Sequence, residues 1–268
     1  MCLYDRIQES QRGQEMLTVK LRSVKFEHEE LGGADLEGNL FYQHNLKVLD
    51  QIEKIGGIFV DTAEATRCSA LTVKDSVEIT VNFVSEPQKS TLCEIFYFDG
   101  NALGFFPTSS GDGFLTQDEY MDSFEVFVFC PSNEEYYNLV RRHSEDHYVF
   151  IEDAMEQFLS TLTHEICHAL IFIESSGGLT PKEIDVAYDA GEYPYSIGAC
   201  ASGCGLSRLQ EVFNHGYMCQ KHDIEINENI VEEEGLMLFK RLGVDIEALI
   251  TEVEDVVGKS FYEQEKRG

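Results

Sequence analysis

A long apolar stripe in the second half of the chain constrains its fold more than any other feature. Between residues 152 and 174, apolar side chains recur every three or four positions, which predicts a helix with a wide apolar face. These side chains are Met155, Phe158, Leu159, Leu162, Ile166, Leu170 and Ile173. The Ser-Ser-Gly-Gly run at residues 175–178 is expected to end the helix, because glycine readily adopts the conformation that closes a helix.

Three polar residues lie inside this stripe and form the pattern His-Glu-x-x-His. They are His164, Glu165 and His168. Histidines four residues apart project from one face of a helix, so both imidazoles can reach a single cation at the roughly 2.0–2.1 Å that zinc–nitrogen bonds require. Glu165 can take the proton from metal-activated water. Because burying three polar groups without a ligand is costly, the motif predicts one catalytic Zn2+ ion.

A catalytic zinc site needs a third protein ligand and an open coordination position. The residues alone leave three candidates, His215, His222 and Glu228, all of which follow the helix in sequence. Glu228 would make the chain a glutamate-ligand zincin, in which that residue typically lies on a separate downstream helix. Cys167, by contrast, should point away from the two histidines and belong to the core.

Three parts of the chain resemble the SprT-like (Spartan-related) zinc metalloproteases. The segment TLTHEICHAL at residues 161–170 is similar to the active-site helix of that family. A His-Gly pair commonly opens the third-ligand helix in the family, and here His215 precedes a glycine. Several fungal-type members continue with a Glu-rich helix ending in Leu-Gly, similar to VEEEGLMLFKRLG at residues 231–243. The resemblance covers about residues 120–245.

The resemblance implies a zinc-dependent endopeptidase with a zincin-like fold. Its zinc ligands would be His164, His168 and His215, and Glu165 would be the general base of peptide hydrolysis. The partner would be a protein or peptide substrate that pairs, in extended form, with an edge strand. The rival hypothesis is a zincin-like scaffold that binds or regulates a protein partner with weak or no proteolysis. An intact Glu165 argues against that rival, because metal binding needs only the histidines.

The charge of the chain argues against duplex nucleic acid as a partner. There are 49 acidic against 20 basic residues, which gives a formal net charge of -29. A fold-wide basic surface, on which duplex nucleic-acid binding usually depends, is therefore absent. We expect nucleic-acid binding to be weak and confined to local patches such as residues 20–25 or Arg141-Arg142.

The sequence also predicts a location away from membranes. No segment approaches the roughly 18 apolar residues needed to span a bilayer. The first 15 residues lack the apolar core of a secretory signal. Most of the eight cysteines lie in apolar runs and are typical of buried thiols rather than of disulfides. These patterns indicate an intracellular protein of the cytoplasm or nucleus, and they leave its oligomeric state open.

The order of elements predicts an α+β fold, with a small β-sheet packed on the HExxH helix and further C-terminal helices. We expect residues 1–33 to be a poorly ordered N-terminal extension and residues 34–268 to form the zincin-like metalloprotease domain. A first helix should occupy residues 36–55 and end at Gly56-Gly57. Strands are predicted at residues 76–84, 92–98 and 124–130, a helix at 133–142, and helical segments from 206 to 257 with breaks at Gly235 and Gly243.

Overall fold

The computed structural model describes residues 16–29, 31–62, 74–96, 102–107, 122–145, 159–180, 182–183 and 224–259. For residues 95–96, 140–145, 175 and 224–230 it describes the backbone alone. Within these ranges the chain is an α+β structure with a mixed five-stranded sheet, a two-stranded ribbon and six α-helices. The predicted α+β class is therefore confirmed.

The main sheet combines parallel inner strands with antiparallel edges. Its strands are β1 (Met16–Lys25), β4 (Ile58–Asp61), β5 (Ser76–Ser85), β6 (Gly104–Phe105) and β7 (Phe124–Cys130), while β2 (Glu27–His28) and β3 (Gly32–Gly33) form the ribbon. The order across the sheet is β4-β1-β5-β7-β6. Strands β1, β5 and β7 are parallel, whereas β4 and β6 run antiparallel to their neighbours. The strands predicted at residues 76–84 and 124–130 are thus confirmed.

Several helices begin or end at capping residues that are visible in the sequence. They are α1 (Leu40–Lys54), α2 (Glu86–Phe96), α3 (Asn133–Glu145), α4 (Thr161–Ser176), α5 (Ile224–Arg241) and α6 (Ile246–Val253), which continues into a π-helical turn at Glu254–Gly258. Asn39 caps α1 by accepting a hydrogen bond from the Tyr42 amide at 2.8 Å. Gly56, with a φ of 92°, follows the helix as predicted. None of the helices in the described ranges has the length and apolarity that a membrane crossing needs.

The two faces of the sheet differ in what covers them. On one face, alternate residues of the inner strands, such as Val19, Val81 and Val126, are fully buried. They share one core with apolar side chains of α1, α3, α4, α5 and α6. On the other face, polar side chains such as Arg22 and Glu78 pair across the strands at 3.8 Å. The helices that matter for the candidate site therefore lie on one side of the sheet.

The strand predicted at residues 92–98 is wrong, because residues up to 96 belong to α2. The backbone amide and hydroxyl of Ser85 both donate to Gln88 Oε1, at 3.2 and 3.0 Å. This is a helix-capping arrangement, in which a serine precedes the helix and a glutamine occupies its third position. Leu92, one turn after Gln88, then packs in a small core with Phe127 and Phe129. Residues 97–98 lie outside the described part of the chain.

The assignment of residues 1–33 to an N-terminal extension is also wrong for the part that the structure describes. Strand β1 lies between β4 and β5, so it is an inner strand of the sheet. Leu17 and Val19 are fully buried. Residues 1–15 lie outside the described ranges. The sheet of this domain is therefore built around a segment that was expected to be separate from it.

A polar network joins α1, α3 and α6, with His44 and Tyr136 buried and Lys47 and Glu252 at the surface. His44, which is 1% exposed, places Nδ1 2.9 Å from the Tyr136 hydroxyl oxygen. Its Nε2 lies 3.3 Å from Glu252 Oε2, which also accepts a 2.6 Å hydrogen bond from Lys47 Nζ. The network connects α6 to α1 and α3, two helices that lie much earlier in the sequence.

Candidate metal centre

Helix α4 is buried on nearly all sides. Among the side chains that the structure describes between residues 161 and 174, only those of His164, His168 and Glu174 are partly accessible. The helix predicted from the apolar stripe is confirmed over Thr161–Ser176, and it ends at Gly177 with a φ of 66°. Residues 152–158 of that stripe lie outside the described ranges. The two histidines of the motif thus occupy the accessible part of a core helix.

The imidazoles of His164 and His168 converge. Their Nε2 atoms lie 3.2 Å apart, and their ring planes cross at 74° with centroids 4.9 Å apart. Two nitrogens bound to one tetrahedral zinc ion at ~2.05 Å would be separated by ~3.3 Å. The observed separation matches this value, so the histidine pair fits a zinc ion as two of its ligands.

Glu165 lies beneath the edge strand β6. Its side chain is only 5% exposed. A Cβ atom placed on Gly104 of β6 would lie 2.7 Å from Glu165 Cγ and 3.0 Å from its Oε1. The carboxylate therefore packs directly against the backbone of the strand at the edge of the described sheet.

Helix α5 crosses α4 at the first histidine of the motif. A Cβ atom on Gly235 would lie 2.8 Å from the Cα and 3.0 Å from the backbone nitrogen of His164. Gly235 was expected to break a helix, but it lies inside α5, and that prediction is wrong. The break predicted at Gly243 is confirmed, because this residue follows α5 with a φ of 62°.

The candidates for the third zinc ligand lie outside the side chains that the structure describes. Positions 215 and 222 lie outside the described ranges. Position 228 belongs to α5, and helical spacing places it two turns before Gly235 on the same side of the helix. Among the side chains that the structure describes, no group of three or more His, Cys, Asp or Glu residues is arranged to hold a metal ion. A complete zinc site therefore needs a ligand beyond these side chains.

Cys167 occupies the place that helical geometry predicts for it. Its side chain is 2% exposed and lies in the main core. This burial confirms its assignment to the core.

Sequence reasoning did not identify Gly104 as part of the site. Its only local signal was a single glycine next to two phenylalanines in a β-rich region. A glycine inside a strand often marks a close approach of another element, but the sequence does not say which element approaches.

Comparison with known proteins finds no matching family model, no matching curated protein and no matching solved structure.

Proposed function

We propose that this chain is a zinc-dependent endopeptidase with a zincin-like active site. The observation that carries the proposal is the convergence of His164 and His168, 3.2 Å apart, on the accessible part of an otherwise buried helix. Glu165 stands next to the first histidine and packs beneath an edge strand. Two histidines and an adjacent carboxylate are the residues that this chemistry requires.

The protein side chains divide the work of peptide hydrolysis. His164 and His168 would hold the zinc ion. A bound zinc ion would act as a Lewis acid toward the peptide carbonyl and make water more acidic. Glu165 would take a proton from the attacking water and deliver it to the nitrogen of the leaving amine. Its burial beneath β6 limits the orientations open to the carboxylate, so the carboxylate would be held ready for proton transfer.

The substrate proposed here is an extended segment of a protein or peptide. Strand β6 is the last strand in the described sheet, and it contacts Glu165 through Gly104. A peptide added alongside β6 would be held by main-chain hydrogen bonds. Such a peptide would pass close to the carboxylate that moves the proton.

Two third ligands remain as proposals, and they correspond to two kinds of zincin. His215 is the ligand implied by the resemblance to SprT-like metalloproteases. Glu228 would define a glutamate-ligand zincin. Helix α5 packs against His164 and includes position 228, whereas position 215 lies outside the described ranges. His215 stays the ligand that we propose, because its imidazole would complete a three-histidine set suited to zinc.

The decisive experiment measures zinc and hydrolysis in the same preparations. We expect the purified protein to contain about one zinc ion per chain and to cleave a quenched fluorescent peptide library. Glu165→Gln should retain zinc and fold while its kcat falls by about 10²–10⁴-fold, since the substitution removes the proton carrier and leaves the ligands.

The matched control is Glu174→Gln, which neutralises another carboxylate of α4 outside the motif. It should keep both zinc and activity. Near wild-type hydrolysis by Glu165→Gln would refute the assigned mechanism. Zinc binding without any hydrolysis, under the same conditions, would instead favour the protein-binding scaffold.

A further inference from the structure

On the basis of the function proposed above, we propose that two glycines are positioning residues of the site. Gly104 of β6 would set the place of the general base, and Gly235 of α5 would set the place of the first zinc ligand. The two glycines contact consecutive residues of α4, Glu165 and His164, from different elements. The base and the ligand would therefore be positioned independently of each other.

Space, rather than backbone conformation, explains why these two positions are glycines. Gly104 and Gly235 do not have the positive φ that favours glycine, whereas Gly32, Gly38 and Gly243 do. Conversely, a Cβ atom on any of those three would meet nothing within 4 Å. An alanine at position 104 or 235 would be unstrained by its own backbone and would collide with the site.

The contact at Gly104 leaves an added methyl group nowhere to go. Its Cβ would lie 2.7 Å from the Phe127 carbonyl oxygen as well as 2.7 Å from Glu165 Cγ. The carbonyl belongs to β7, the strand with which β6 pairs. The clash with the carbonyl would strain the pairing of β6 with β7, and the clash with Cγ would displace the Glu165 side chain from its present place.

The contact at Gly235 involves backbone atoms of a buried helix. The nearest atoms to an added Cβ are the Cα and nitrogen of His164, which cannot rotate away. Glycine inside a helix costs about 1 kcal/mol relative to alanine, so its presence in α5 calls for a packing reason. An alanine would favour the α5 helix itself and push it away from His164.

The test compares Gly104→Ala and Gly235→Ala with Gly33→Ala, a strand glycine whose added Cβ would have open space. We expect Gly104→Ala to lower kcat by about tenfold or more while zinc affinity, measured by chelator competition, stays within about threefold of wild type. We expect Gly235→Ala to weaken zinc binding by about tenfold or more and to alter the visible spectrum of the Co2+-loaded protein. Gly33→Ala should resemble wild type in every measurement.

A double-mutant cycle tests the Gly104 contact without relying on activity. Glu165→Ala removes the Cγ atom that an alanine at position 104 would strike. Gly104→Ala should therefore destabilise the wild-type background more than the Glu165→Ala background, measured by denaturant unfolding. The double variant keeps the clash with the Phe127 carbonyl, so the expected result is a partial recovery of stability rather than a full one.

Two results would overturn the proposal, and they differ from failure of the proposed function. Equal losses of zinc affinity and kcat in both variants would show that the glycines do not act separately. Absence of coupling in the cycle would show that Gly104 does not position Glu165. A wild-type protein that binds no zinc would refute the proposed function, and the positioning roles with it, whatever the cycle shows.

Discussion

The identity of the third zinc ligand is the open question that most affects how the proposed site is classified. His164 and His168 supply two nitrogens, and the choice of His215 or Glu228 decides which kind of zincin this would be. We expect His215→Ala to lower zinc affinity by orders of magnitude and Glu228→Gln to leave it nearly unchanged, because a third imidazole would complete a three-histidine set suited to zinc. Metal content after purification and chelator competition provide the measurement.

Glu233→Gln is the control for this pair, because Glu233 is an exposed carboxylate of the same helix. It should bind zinc like the wild type. Loss of zinc in Glu228→Gln with full occupancy in His215→Ala would contradict the expectation and support a glutamate-ligand zincin.

At this scale, the sequence predicted what helical geometry alone determines. The convergence of His164 and His168 and the burial of Cys167 follow from positions on a single helix. The roles proposed for Gly104 and Gly235 depend on β6 and α5, which are distant in sequence from the motif. No local pattern specifies which elements meet, so these contacts required the structure.

Element by element, the correct predictions rest on patterns that need no partner. Strand β7 is a run of aromatic and β-branched residues with a single charged residue, Glu125, and α1 has both its apolar spacing and the glycines that follow it. Helix α2 was misassigned because the aromatic residues near its end favour strands. The capping pair of Ser85 and Gln88 was present in the sequence and outweighs that preference.

The network around His44 makes the joining of α1, α3 and α6 dependent on pH. Burial lowers the pKa of His44, with Glu252 opposing this effect and Lys47 adding to it. A hydrogen bond from Lys47 lowers the pKa of Glu252. Folded His44 therefore binds fewer protons than unfolded His44 once the pH falls below the ordinary histidine pKa of about 6.5, and stability decreases as the pH drops.

We predict that His44→Gln reduces the loss of unfolding free energy between about pH 7.5 and about pH 5.5. Urea unfolding at several pH values measures it, and subtracting the wild-type curve cancels the contribution of other groups. Glu252→Gln should act in the opposite direction, because it removes the carboxylate that raises the pKa of His44. Parallel curves for all three proteins would contradict the assignment.

For the molecule as a whole, the net charge of -29 limits the choice of partners. We expect duplex DNA to bind with a dissociation constant above about 10 μM at physiological salt. The acidic protein repels the phosphates, and few of its basic residues are neighbours. Fluorescence anisotropy with labelled duplex DNA measures this, and Lys20→Gln combined with Arg22→Gln tests the basic residues on the outer face of β1. Tight, salt-dependent binding would contradict the prediction and point to a nucleic-acid role.

The overall class followed from the sequence, but the organisation of the sheet did not. Strand β1 was missed because only one of its faces is apolar, while Lys20 and Arg22 face away from the core. Its alternation over residues 17–21 is the short signal of a half-buried strand. Pairing of β1 with β5 joins segments far apart in sequence, and such contacts leave no local trace.

The order in which β6, α4 and α5 are synthesised determines when the packing around His164 can form. Strand β6 and helix α4 leave the ribosome before α5, which begins at Ile224. A nascent chain that lacks α5 has the complete His-Glu-x-x-His motif but not the helix that packs against His164. Because domains fold as their parts emerge, the packing around His164 would be complete only after α5 has left the ribosome. Under the proposed function, unfolded segments of the growing chain would meet no finished active site before that point.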